Sequence, residues 1–173
     1  MNILLIDGYN VIARGLAKDP GQAMASDEAR RGYREQLVML AKKYVAGKKG
    51  LEVRIYFDGT GGCSAAELSD RSVKVVFAKG DQGADNAIIK FCRAYEKPKD
   101  LEVVSDDWAT LGFHIRSHVG KLLSVAEWMR RLDSNRSSSG SRASGAEKSK
   151  DDTPLSQGTR EAINRTLPAS WFR

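Results

Sequence analysis

The sequence predicts an α/β fold with a mostly parallel central sheet and helices on both faces. Three observations carry the prediction. Apolar runs of about five residues recur through the first 133 positions, stretches with helical spacing separate them, and the runs are continuously apolar rather than alternating. Continuous runs are what strands buried on both faces require, and alternation with helices is what joins parallel neighbours.

In chain order the strands are Asn2–Ile6 (NILLI), Leu51–Phe57 (LEVRIYF), Val73–Phe77 (VKVVF) and Leu101–Ser105 (LEVVS). Between the first two, Ser26 to Val45 sets Ala29, Tyr33, Leu37, Leu40, Ala41 and Tyr44 at helical spacing, with Asp27 and Glu28 in the first turn and Gly47 just past the end. A second helix, Ala84 to Tyr95, carries Ile88, Ile89 and Cys92. The interval from Gly112 to His118 reads as strand-like alternation. A third helix opens after Ser124, where Ser124 as N-cap and Glu127 as its partner form a capping box. Crossovers between parallel strands run right-handed.

Composition changes after Asp133. Residues 134–158 are serine, glycine and charge with almost nothing apolar, too little to offset ordering entropy, and read as a disordered linker. Residues 159–173 regain Ile163, Leu167, Trp171 and Phe172 and form a short C-terminal segment able to dock on the domain or a partner. The folded domain is therefore expected at 1–133, with no internal repeat.

The 173-residue chain has 28 basic and 22 acidic residues, a formal charge of +6. Residues 1–133 hold 21 basic and 18 acidic side chains and the remaining 40 hold 7 and 4, so half of the excess lies in the tail. The excess suits a polyanionic partner, although it also serves ordinary solubility. A chain of this size buries roughly 70% of its unfolded surface and needs no disulfide to hold a core. Cys63 and Cys92 form no CxxC pair and follow no secretory leader, so a reduced, cytoplasmic setting is expected. The run Ile3–Ile6 falls far short of the roughly 20 residues of a membrane span, and no membrane association is expected.

In parallel sheets ligands bind off the carboxyl ends of the strands. Here every predicted strand end carries an acid: Asp7 in Asp7-Gly8-Tyr9-Asn10, Asp58 before Gly59, Asp81 and Asp85 after the third strand, and Asp106 and Asp107 after the fourth. Neighbouring parallel strands lie about 4.8 Å apart, so these carboxylates converge and repel unless a hard cation such as Mg²⁺ or Mn²⁺ bridges them. Such a site activates water and stabilises charge on a scissile phosphate. Aspartates also end strands merely as turn formers and N-caps. That explanation is weakest for Asp7, a lone acid after a continuous apolar strand, with Gly8 allowing close backbone approach. Asp85 follows two small residues, Gly83 and Ala84, which leave room for a substrate.

Other chemistries lack their signatures. His114 and His118 are four apart but far from the cysteines, giving no zinc spacing, and neither GxGxxG nor GxxxxGK[ST] occurs. The Gly-rich stretch 59–63 is a flexible loop. An aspartyl phosphatase would carry a second acid two residues after Asp7, where Tyr9 stands instead.

Taken in order, ILLIDGYNVI at 3–12, VRIYFDG at 53–59, VVFAKGDQGADNAI at 75–88, VVSDD at 103–107 and LLSVAEWMRRL at 122–132 resemble the YacP-like NYN domain family, relatives of PIN-domain nucleases. The resemblance spans nearly all of residues 1–133 and leaves the tail uncovered. It implies a three-layer PIN-like fold and a metal-dependent endoribonuclease; one branch of the family is a ribosome-associated endonuclease acting on messenger RNA. It places the family's first acid on Asp7, its asparagine on Asn10, and its further acids on Asp85 and Asp106. Asp7, Asp85 and Asp106 would be ligands of Mg²⁺ or Mn²⁺, and Asn10 would orient a water or phosphate. Asp58 and Asp81 stand as additional candidates. Asp107, where many relatives carry a non-acidic residue, would support the ligands rather than join them.

An acidic pocket needs a basic surround to hold RNA. Tyr9, Arg14, Lys18, Lys79, Arg116 and Lys121 are the candidates, Tyr9 by stacking on a base or, alternatively, by packing beneath its loop. Trp108 carries the same alternatives. Arg136, Arg142, Lys148 and Lys150 in the tail suit either non-specific contact with RNA or the ribosome, or a solvated tether. Two other functions compete: a non-catalytic RNA- or ribosome-binding module on the same fold, and a phosphatase for small phosphoesters.

Overall fold

The computed structural model describes residues 1–59, 64–79 and 83–139. Five strands, β1 (Asn2–Asp7), β2 (Leu51–Asp58), β3 (Val73–Ala78), β4 (Leu101–Val104) and β5 (Lys121–Leu123), form one sheet in the order β3-β2-β1-β4-β5. Every neighbouring pair is parallel. The four predicted strands stand within a residue of their expected ends. β5 is a finding of the structure: three residues of mixed polarity carry no period that a sequence pattern could reveal.

The central strand explains the layers. Alternate side chains of β1 leave opposite faces of the sheet. Leu4 and Ile6 join a core that contains Leu37, Val38, Ala41 and Tyr44 of α3 (Asp27–Val45) and Trp128 and Leu132 of α7 (Val125–Ser139). Ile3 and Leu5 join the other core, with Ile88, Ile89 and Cys92 of α5 (Gly83–Ala94) and with Leu111 and Ile115. The result is the expected three-layer arrangement. The short helices are α1 (Gly8–Val11), α2 (Pro20–Met24), α4 (Ala65–Leu68) and α6 (Phe113–Ile115), with a π-helical turn at Ile12–Leu16 and a 3-10 turn at Pro98–Asp100.

Caps set the helix starts. Ser26 Oγ accepts from the Ala29 amide at 3.1 Å, starting α3 where predicted. Ser124 Oγ accepts from the Glu127 amide at 3.1 Å, but Glu127 turns its carboxylate to Lys121 and Arg131 instead of closing the box.

The interval after Gly112 corrects the sequence reading. A π-helical turn, Trp108–Gly112, runs directly into α6, so residues up to Ile115 are helical and not strand-like. Leu111 and Ile115, four apart, are both buried, a helical spacing that Gly112 and the exposed apolar ring of Phe113 between them mask. Gly112 does not end the segment: its amide donates to the Asp107 carbonyl, and its own carbonyl accepts from Arg116. α7 continues to Ser139, past the expected boundary at 133. The rest of the predicted linker and the C-terminal segment, like Asp81 and Cys63, lie outside the described residues. Among the described residues no helix is long and apolar enough to cross a membrane.

Candidate active site at the carboxyl edge of the sheet

The strand order fixes where a site can form. The chain steps outward from β1 to β2 and β3, then returns to β4 on the other side of β1. The reversal falls between β1 and β4, and the carboxyl ends of the strands at such a point are the usual ligand position in such sheets. Asp7 ends β1 there, and Ser105, Asp106 and Asp107 follow β4.

Asp7 is only 6% exposed. It caps α1, its Oδ1 accepting from the Asn10 amide at 3.3 Å, while Oδ2 accepts from the Ser105 hydroxyl at 3.1 Å. Gly8 makes that turn possible: a Cβ there would stand 2.3 Å from the Phe57 ring and 2.8 Å from the Tyr56 carbonyl oxygen. Burial, reinforced by the charges of Asp85 and Asp58, pushes the Asp7 carboxyl up to about 6, despite the two hydrogen bonds that favour its ionised form.

Two polar links join the β1 and β4 ends. Asn10 Oδ1 accepts from the Asp106 amide at 2.9 Å, and the Asp107 amide donates to Ser105 Oγ at 3.1 Å, the same hydroxyl that donates to Asp7. Asn10 thus holds the β4 loop in place through backbone. The two adjacent aspartates then diverge. Asp106 Oδ1 accepts from the Val125 amide at 3.0 Å, fastening the start of α7. Asp107 Oδ1 caps the π-helical turn at the Thr110 amide, 3.0 Å away, and its charge is within electrostatic reach of Asp85.

Asp85 lies in the first turn of α5. Burial raises its pKa, and the charges of Asp107 and Asp58 raise it further. Asp58 ends β2 and accepts the Ala84 amide on Oδ1 at 2.6 Å, next to Gly83 at φ 47°. The group whose charges act on one another is therefore Asp7, Asp58, Asp85 and Asp107.

None of these four carboxylates makes an ion pair among the described residues, and no three described acids, histidines or cysteines stand close enough to ligate one ion. The donor set suits a hard divalent cation all the same: it is all oxygen, it is partly desolvated, and its members repel each other.

The basic surround is uneven. Lys79 directly follows β3 at this edge and is exposed, as are Arg14, Lys18 and Arg116. Lys121 stands at the amino end of β5, opposite Glu102, and pairs with Glu127 at 3.0 Å, so the structure does not bring it to the acids. Tyr9 packs its ring on Phe57, with centroids 5.2 Å apart, and its hydroxyl accepts from Arg34 at 2.8 Å. The structure thus shows the packing alternative for this residue.

Two residues at the site escaped the sequence reading. Ser105, the last residue of the predicted fourth strand, donates its hydroxyl to Asp7 and accepts the Asp107 amide. Arg34 is 2% exposed on the inner face of α3, its Nε without a hydrogen-bond partner. Its position three and four residues before Leu37 and Val38 was the available signal: a charge on the apolar face of a helix.

Comparison with known proteins agrees with this picture. The family model of the YacP-like NYN domain matches residues 4–167, which also takes in most of the tail that the motif resemblance left uncovered. Among solved structures, Rae1 (YacP) from Bacillus subtilis superposes with a TM-score of 0.60 at 23% identity, over 82% of this chain and 79% of that one. A tryptophan-to-leucine mutant of that protein gives 0.59 at 23% identity, over 83% and 87%. This likeness is one of fold, and it places the sheet and its two helical layers among PIN-like structures. No curated protein matched.

Proposed function

The chain belongs to the YacP-like NYN domain family, a ribonuclease-type domain, and on that premise we propose that it is a metal-dependent endoribonuclease hydrolysing phosphodiester bonds of single-stranded RNA. The observation that supports the reading best is Asp7 at the end of β1, buried and without an ion pair among the described residues while Asp58 and Asp85 add like charge.

Mg²⁺ or Mn²⁺ bound there would lower the pKa of water and stabilise charge on the scissile phosphate. Asp7 and Asp85 would hold it, with Asp107 and Asp58 adding negative charge around them. Asp106, also expected as a ligand, accepts the Val125 amide on one oxygen and fixes the start of α7, and its charge is not among those that act on Asp7 or Asp85. Ser105 holds Asp7 Oδ2, so the carboxylate keeps one orientation. Asn10 ties the loops of β1 and β4 together. Exposed Lys79, Arg14 and Arg116 supply counter-charge for a phosphate backbone.

Incubating labelled single-stranded RNA with the full chain, with and without Mn²⁺, tests the reading. Cleavage should require the cation and fall by more than about 100-fold in Asp7→Asn. Undiminished cleavage by that variant would overturn it. A second reading, a binding module without catalysis that associates with RNA or the ribosome, draws on the spacing in which no three described donors meet. RNA binding without cleavage at any Mn²⁺ concentration would favour it.

A further inference from the structure

We propose that Trp108 and Phe113 form a stacking platform for two bases of single-stranded RNA beside the acidic cluster, an inference that rests on the nuclease reading above. Trp108 is 48% exposed and Phe113 66%; the other large hydrophobic side chains exposed among the described residues are Met1 and Met39. The segment that carries the two rings needs neither for its own packing, since Leu111 and Ile115 already fill its inner face at 1% and 0% exposure.

The backbone sets the two residues on one side of the turn. The Gly112 amide donates to the carbonyl of Asp107, five residues back, at 2.9 Å. In that π-type winding residues five apart fall on the same side of the turn, which α-helical winding would not achieve. Gly112 lies between them: a Cβ there would be 3.4 Å from Trp108 Cε3, so one flank of the indole rests on bare backbone. His114 stands edge-on to Phe113 at 5.4 Å and steadies the second ring.

Position selects the occupant. Trp108 directly follows Asp107, which caps this turn and reaches Asp85 electrostatically, so a strand lying across the rings runs toward the acids. Arg116 and His114 on the same segment are exposed, and Arg116 makes no ion pair among the described residues, a charge that complements a phosphate backbone. Flat, exposed aromatic faces next to cations hold unpaired bases, whereas a duplex keeps its bases stacked and out of reach.

The test is fluorescence anisotropy of the full chain with a labelled single-stranded RNA in EDTA, so that binding is read without cleavage. Trp108→Ala and Phe113→Ala should each weaken binding by about 5- to 100-fold. Trp108→Phe should recover most of the loss, and Met39→Ala, on a remote face, should change nothing. In Mn²⁺ the double alanine variant should show the defect in KM rather than kcat.

Equal RNA affinity of wild type and double variant, with melting temperatures matched, would overturn the platform, as would wild type that binds no RNA. If wild type cleaves RNA and the double variant keeps its KM, the platform falls and the nuclease reading stands. If Trp108→Ala loses affinity but wild type never cleaves, the platform stands and the nuclease reading falls.

Discussion

The two ends of the sheet bury acids to the same depth and treat them in opposite ways. Near the amino end, Glu52 is 8% exposed and lies between Arg54, 2.5 Å away, and Lys74, 2.9 Å away. Burial alone would raise its pKa, but the hydrogen bonds from Lys74 and Arg54 outweigh that and hold it below its ordinary value. Glu102 nearby takes Arg131 at 2.8 Å. At the carboxyl end Asp7 is 6% exposed, makes no ion pair among the described residues, and is pushed up to about 6. Burial is therefore not what separates a structural carboxylate from a candidate catalytic one here. The separation lies in whether the chain supplies the counter-charge or leaves it to be supplied from outside.

The comparison breaks first on stability. The native state holds the Asp7 proton more tightly than the unfolded chain, so between about pH 4 and pH 6 it binds more protons and its stability falls as pH rises. The loss, complete above about pH 6, is about 3 kcal/mol. Asp7→Asn should remove it: the metal-free variant should be more stable than wild type at pH 7.5 by up to about 3 kcal/mol, and the advantage should vanish by about pH 4. Glu52 has the opposite sign. Its lowered pKa contributes stability at neutral pH that is lost as pH falls through its folded value, so Glu52→Gln should cost about 1–2 kcal/mol at pH 7.5 and little in acid. Urea melts across pH in EDTA measure both; two variants with the same sign would sink the contrast.

A cation should sharpen the same contrast. Mn²⁺ at 100 times its dissociation constant stabilises a protein that binds it only when folded by about 2.7 kcal/mol. The melting temperature of wild type should rise with Mn²⁺ at pH 7.5. Glu52→Gln should shift equally and Asp7→Asn hardly at all. An undiminished shift in Asp7→Asn would place the cation elsewhere.

How much of this was legible follows from how local each cause is. Strands such as NILLI and helix α3 with its Ser26 cap are written in consecutive residues, and so is the acid at each strand end. β5 is fixed by pairing with β4, and the helical turn at Trp108–Gly112 by Asp107 and by buried Leu111 and Ile115. β5 is too short to show a period, and the single pair Leu111 and Ile115 is masked by the exposed apolar Phe113 between them. The burial of Arg34 follows from Tyr9, 25 positions away in the chain. Acids were legible as a set, whereas which of them face each other was not.

The adjacent pair Asp106 and Asp107 isolates that last point. In sequence they are interchangeable, and the family resemblance favours Asp106. In the structure their orientations are set by partners far along the chain: Asn10 holds the Asp106 amide across 96 positions, and Val125 takes its carboxylate. Asp107 is the one whose charge reaches Asp85. Replacing each by Asn keeps one acceptor oxygen for the amide it caps while removing the charge and the second oxygen, which separates anchoring from cation binding. Asp107→Asn should raise the Mn²⁺ concentration for half-maximal cleavage by about tenfold with the melting temperature little changed. Asp106→Asn should leave that concentration within about threefold of wild type, while Asp106→Ala, which also deletes the acceptor for the Val125 amide, should cost about 1 kcal/mol of stability. The reverse ranking in the metal titration would return Asp106 to the cluster and reduce Asp107 to the cap of its turn, because both Asn variants keep the capping oxygen and lose the charge and the second oxygen that a cation needs.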